Sequence, residues 1–356
     1  MEGGTSRETR DLSALILLHT FLWTGLSALA RDSLPADTLE AIAWGLQWEW
    51  GYDKHPFLAA WLAGTVVKLT GHVGLEMYLL GSASISMCFW AVWRLALRVL
   101  TPRQALVSVL MLETIWYYPF LGAKFDQGSL LIPLWMLLAL AFHSALTTQH
   151  LRHWLIVGIF AGLSLLTKYQ SVLFRSCGAS LMFLTDEGRS SWRRPGPYLA
   201  LLFLLVMIDP NLYWLQRNDF ISWQYALGRL GESEYHWHDH LTQPLRFTAD
   251  SLGSLLPFLV LIGLLYSSSR PAPEAAVQFH RRFFSILGLS PFLLTVGLSA
   301  LFGIHLYSKW EAPYFPCWEC WPCSGFDPIS VQSESGDSPC YAWDSEPFSL
   351  CLAPCI

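Results

Sequence analysis

The chain reads as a succession of apolar runs of about 12 to 22 residues, separated by short polar connections. A helix that crosses a bilayer needs about 20 mostly apolar residues. The pattern predicts spanning helices over 12–30, 75–94, 104–121, 128–146, 153–173, 174–185 (a short one), 196–209, 252–268 and 282–303. The expected architecture is therefore all-α, a polytopic membrane helix bundle with about nine transmembrane helices. One more run, 56–71, is apolar but short, and Gly64 and Lys68 interrupt it. Ahead of it, Leu39, Ile42, Ala43 and Leu46 recur at the period of one helix face. Trp44, Trp48, Trp50 and Trp61 crowd the same region, as expected of interfacial helices lying in the headgroup layer.

Charge decides how 56–71 lies. If it rests on the membrane without crossing, Arg7, Arg10, Arg94, Arg98, Arg103, Arg152, Arg189, Arg193, Arg194, Arg270, Arg281 and Arg282 all fall in inside loops. These are 12 of the 22 basic residues. All five lysines then lie outside or near the outer surface. If 56–71 crossed, the Arg94 to Arg103 cluster would move outside. The outer loops are then 31–74 and 210–251. Composition agrees with a membrane protein: 53% of residues are hydrophobic and 14% charged, against about 25% charged in a soluble domain. The 18 tryptophans suit interfacial belts and sugar platforms. No basic stripe points to nucleic acid. The first run, 12–30, is long for a signal peptide, and Ala28-Leu29-Ala30 is a weak cleavage site, so an uncleaved helix is expected.

Near Pro316 the composition changes abruptly. Residues 317–356 hold six of the eight cysteines, many Ser and Pro, and no spanning run. The division expected is a membrane domain over 1–316 and an atypical tail over 317–356. Cys317, Cys320 and Cys323 have the spacing of a metal site. The tail has no His and no second ligand pair, however, and a shifted reading frame or disorder accounts better for its composition. No metal site is assigned.

Ionisable groups at membrane depth are expensive and tend to be functional. The outer face gathers Asp37, Glu40, Lys54, His55, Asp126, Lys168, Tyr169, Lys309 and Trp310. Each has a plainer explanation. Asp37 and Glu40 have the form of a helix N-cap followed by an acid. Asp126 has the place of an N-cap for a helix starting near Gly128. Lys168 and Lys309 suit snorkelling anchors, and His55 before Pro56 suits a helix start. Their convergence on one face is harder to explain by capping alone.

The residues PADTLEAIAWGLQWEWGYDKHPFLAAW, 35–61, resemble the first outer loop of glycosyltransferase family 39, in the wider GT-C class. They come nearest the bacterial branch related to lipid A and lipopolysaccharide core sugar transferases. The correspondence rests on Asp37, Glu40, Trp44-Gly45, Gly51-Tyr52, Lys54-His55-Pro56 and Trp61. Phe57 stands where a second Pro is usual. Three further stretches match in order: FDQGSLLIPLW with Asp126, GLSLLTKYQSVL with Lys168 and Tyr169, and YSKWEAPYF with Lys309 and Trp310. The resemblance covers about residues 12–316. Family members are usually longer, with more spans.

The resemblance implies transfer of a sugar from a polyprenyl-phosphate carrier to a glycolipid or protein acceptor, with inversion, in a bacterial inner membrane and on its periplasmic face. Asp37 is then the catalytic base. Glu40 and Asp126 orient the sugar or tune Asp37. Lys54, Lys168 and Lys309, supported by His55, Tyr169 and Trp310, bind substrate and its phosphate. No cofactor is expected, because the lipid-linked sugar is itself a substrate and carries no pyrophosphate to recruit a metal. Two other readings compete: a transporter or flippase for a lipid-linked substrate, and an inactive relic of the family. Transporters often carry internal repeats; no repeat relates the halves here, and the charges gather at one face.

Overall fold

The computed structural model describes residues 2–231, 237–265, 274–306 and 312–317, all within one compact unit, Met1–Phe326. Among the described residues the chain is helical and forms no strand. The first outer loop begins after α1 (Glu2–Ala30) and contains α2 (Ala36–Gln47) and α3 (Leu58–Thr70). The bundle continues through α4 (Leu75–Ala96), α5 (Pro102–Leu112), α6 (Tyr117–Gly122), α7 (Gln127–Thr148) and α8 (Leu151–Thr167). After these come α9 (Val172–Leu184), α10 (Asp186–Ser191) and α11 (Gly196–Arg217). Last are α12 (Ile221–Gly231), α13 (Asp239–Leu265) and α14 (Glu274–Phe302). Six of these, α1, α4, α7, α11, α13 and α14, are long and apolar enough to cross a membrane. The protein is a multi-pass membrane helix bundle.

The central helix is α7, which is apolar on every side and buried over most of its length, as a helix without a polar face should be. Its Trp135 is fully buried and stacks between Phe174 of α9 and Tyr314, at 4.7 and 5.5 Å.

Three expected spans differ in detail. The 104–121 run breaks into α5 and α6. Pro119 has no N–H to donate to the Ile115 carbonyl and its ring crowds that carbonyl, which favours a break just ahead of it. The break is closed by tight turns, with Thr114 N donating to Met111 O at 3.1 Å and Ile115 N to Leu112 O at 3.1 Å. The 153–173 run stops at Thr167, because Lys168 is extended (φ −159°). The short run that follows begins at Val172 and is only 13 residues long. The second outer loop is largely helical: α11 continues to Arg217 and α13 begins at Asp239. The tail beyond residue 317 lies outside the described residues.

The α2 stripe also divides. Thr38, Ala41, Ile42 and Gly45 are buried, whereas Leu39, Ala43 and Leu46 are exposed. Small residues, not the large ones, make the packed face, leaving leucines outward for a lipid surface. The reason is a close crossing with α3. A Cβ on Gly45 would overlap the carbonyl of Ala60, and one on Gly64 would overlap the backbone of Gly45. Gly45→Leu is expected to force the two helices apart and destabilise the fold by about 1–3 kcal/mol, the range for overpacking. Limited proteolysis within 48–57 should rise. Gly228→Ala, whose Cβ meets nothing within 4 Å, should change neither.

Candidate active site

The outer end of the bundle is assembled from the first loop and from the turns after α6, α8 and α11. Between α2 and α3 the chain doubles back, with Gly51 bridged to Pro56 and Tyr52 N donating to His55 O at 3.0 Å. Tyr52 stacks on Trp44 and donates its hydroxyl to the Trp44 carbonyl at 2.6 Å. Burial pushes that phenol up to about 12, so it stays a donor. Phe57, Trp50 and Trp61 pack ring to ring, with centroids 4.3 to 5.2 Å apart.

Helix α11 pins this loop. Asn211 Nδ2 donates to Trp50 O at 2.7 Å, and Trp214 Nε1 donates to the Glu49 carboxylate at 3.0 Å. Gly51 is obligatory here, since a Cβ would run into the Trp214 ring. Tyr169 donates to Asn211 Oδ1 at 3.0 Å, which links the α8 end to the same post. Ser222 of α12 donates to Tyr52 O at 2.5 Å.

The acids and lysines meet across this frame. Lys124, in the turn before α7, sits between two carboxylates: it donates to Asp37 Oδ2 at 2.9 Å and pairs with Asp126 Oδ2. Its side chain is 8% exposed, that of Asp126 7% and that of Asp37 43%. Burial alone would push Lys124 down. Asp126 first and Asp37 second more than offset it and hold the ammonium above its ordinary value. Asp126 is also the N-cap of α7: its Oδ1 accepts from Ser129 N at 2.9 Å, and the Ser129 hydroxyl returns a bond from the Asp126 N–H. The capping explanation thus holds for Asp126, which does both jobs. It does not hold for Asp37 and Glu40. The α2 N-cap is Pro35, with no side-chain cap bond, and Asp37 lies inside the first turn.

Glu40 instead pairs with Lys54, which also lies 5.9 Å from the Trp44 ring and 5.7 Å from Tyr225 of α12. The bond to Glu40 holds Lys54 above its ordinary value. His55 is pushed well below its ordinary 6.5, mainly by loss of solvent and then by the nearby Lys168 charge. The structure therefore brings together Asp37, Glu40, Lys54, His55, Asp126, Lys168 and Tyr169. Lys309 and Trp310 lie outside the described residues. Lys124 was visible in the sequence only as a neighbour of Asp126; its reach to Asp37, 87 residues away in the chain, was not. Asn211 and Tyr225 gave no motif at all.

Two outcomes follow from these charges. Lys124→Met leaves Asp126 buried without its cation and should cost about 3–5 kcal/mol of stability, measured by thermal unfolding in detergent; Lys124→Arg should cost less. His55 is neutral in the fold and protonates more readily when unfolded, so its contribution is complete above about pH 6.5 and is lost as pH falls below it. His55→Gln should flatten the fall in unfolding temperature between about pH 7 and 5.

The family model described as dolichyl-phosphate-mannose-protein mannosyltransferase matches residues 54–214. That stretch includes Lys54, His55, Lys124, Asp126, Lys168, Tyr169 and Asn211, with Asp37 and Glu40 just ahead of it. No curated protein sequence matches the chain. Among solved structures, ArnT from Cupriavidus metallidurans, crystallised bound to undecaprenyl phosphate, is similar with a TM-score of 0.69 and 14% identity. The match covers 89% of this chain and 60% of ArnT, so the chain spans about three fifths of that protein's length. The chain thus shares the membrane helix-bundle fold of ArnT, and its residues 54–214 are similar to the dolichyl-phosphate-mannose-protein mannosyltransferase family.

Proposed function

We propose that the protein transfers a sugar from a polyprenyl-phosphate donor to an acceptor hydroxyl at the periplasmic face of an inner membrane, with inversion and with Asp37 as general base. The observation that carries this reading is the unequal environment of the two acids on Lys124. Asp126 has one oxygen held by the α7 N-terminus and the other by Lys124, and is buried. Asp37 is held at Oδ2 but stands 43% exposed at the mouth of the site. Asp37 is the more open of the two, which supports its role in meeting an incoming hydroxyl.

In the proposed reaction the acceptor oxygen bonds to the anomeric carbon as the bond to the phosphate oxygen breaks. The hydroxyl proton passes to Asp37, and the electron pair of the broken bond leaves on the lipid phosphate. That leaving group needs positive charge rather than a proton. Lys168, whose charge lies near His55, is proposed to meet the phosphate, with Tyr169 in support. Undecaprenyl phosphate, which ArnT was crystallised with, is chemically what such a donor becomes once its sugar has left. The acceptor is a glycolipid or a protein hydroxyl.

Membranes holding the chain, given radiolabelled polyprenyl-phosphate sugars, should yield a labelled product. Asp37→Asn should lower the rate by about 10²–10⁴-fold, the usual worth of a general base, without loss of inserted protein, because its side chain is half-exposed. An unchanged rate in Asp37→Asn would remove Asp37 from the chemistry. Failure of the unmodified chain to label with any donor would remove the proposed function itself.

A further inference from the structure

A second ionisable pair lies within the bundle, behind the turn that carries Lys124. His19 is midway along the span Arg7–Ala30 of α1 and is 1% exposed. Its Nδ1 lies 2.5 Å from Glu113 Oε1. With a carboxylate as acceptor, Nδ1 is the donor of this bond. Nε2 is buried and has no hydrogen-bond partner among the described residues. An ionisable pair at this depth is costly unless it does something.

The ring touches both ends of one piece of chain. Glu113 follows the end of α5, where the 104–121 run breaks, and Gly122 is the last residue of α6. A Cβ on Gly122 would lie 3.4 Å from His19 Nε2, so the imidazole faces Gly122. Neighbouring contacts fix the same piece from α4: Ser82 Oγ donates to Gly122 O at 3.0 Å, and Gly81 leaves no room for a Cβ beneath the Lys124 carbonyl. Beside His19, the Thr20 hydroxyl pairs with Ser86 of α4 at 2.7 Å, which keeps α1 in register with α4. Two residues beyond Gly122 the chain delivers Lys124, and two beyond that Asp126.

We infer that His19 and Glu113 are positioning residues: their pair ties down the segment from the end of α5 to the end of α6 and sets the place of the 122–126 turn, and so of the ammonium that holds Asp37. The kinetic side of this inference rests on the proposed transferase function; the structural side does not.

The test is the double variant His19→Leu with Glu113→Leu. Removing both partners leaves no unpaired buried charge, and such replacements are often neutral or stabilising, so the bundle should insert with an unchanged unfolding temperature. Lys124 should then react about tenfold faster with a small amine-reactive reagent, followed by mass spectrometry of the modified peptide, as expected when a protected turn opens locally. The transfer rate at saturation should fall by about 10- to 100-fold, with the donor KM little changed, as displacement of catalytic groups by about 1 Å does. His19→Asn, whose amide nitrogen takes the place of Nδ1 and still donates to Glu113, should restore both. Labelling of Lys124 at the original rate in the stable double variant would overturn the inference, as would failure of His19→Asn to restore protection. If the unmodified chain transfers no sugar, labelling alone decides, and the two readings fail or stand separately.

Discussion

The outer end of the bundle depends on one buried ammonium. Lys124 is taken almost wholly out of water and keeps its charge because two carboxylates reach it, Asp126 from its own turn and Asp37 from the first loop. Desolvating such a group is costly, and an ion pair in a low-dielectric setting returns little net stability even when its geometry is good. Apolar side chains in place of all three groups would serve the fold at least as well. What the ammonium provides is position: it fixes one oxygen of an exposed acid relative to a helix N-terminus, across 87 residues of chain.

That arrangement needs backbones closer together than side chains allow. Gly45 and Gly64 let α2 lie directly on α3, which fixes the direction in which Asp37 leaves the first turn of α2. Gly81 lets α4 press on the Lys124 carbonyl. Gly51 lets the first loop seat on Trp214, while Asn211 joins that loop to the α8 end through Tyr169. The functional groups are polar, but the positions that fix them are mostly glycines and one buried amide. Conserving charge alone in such a site would not conserve its geometry.

The helical bundle was legible because bilayer thickness writes itself directly into run length. All nine apolar runs are helical over most of their described residues, and six of the helices are long and apolar enough to cross a membrane. Less legible were the ends. Pro119 was in plain view inside an apolar run, yet hydropathy gives its ring no weight, so the α5 break was missed. The apolar stripe of α2 did not reveal its packed face, where Thr38, Ala41 and Gly45 are buried beside Ile42, because periodicity marks large residues and misses small ones. Within the site, Asp126 was correctly suspected of being a cap, and the structure adds its second role. Asp37 was suspected of the same and is not one, since Pro35 occupies the cap. Lys124 escaped because its partner is distant in sequence, and a local motif carries no information about a long-range pair.

The division of labour among the charged groups is a matter of what each is already committed to. Glu40 is committed to Lys54, which is further enclosed by the Trp44 and Tyr225 rings. Asp126 is committed twice over, to a helix terminus and to Lys124. Asp37 is committed at one oxygen and half-exposed. On the basic side, the neutral imidazole of His55 means that the Lys168 charge stands beside a group that adds none of its own. Lys124 binds both Asp37 and Asp126, so the proposed transfer, which moves a proton to a carboxylate and electrons to a phosphate, would start from acids whose negative charge is already balanced.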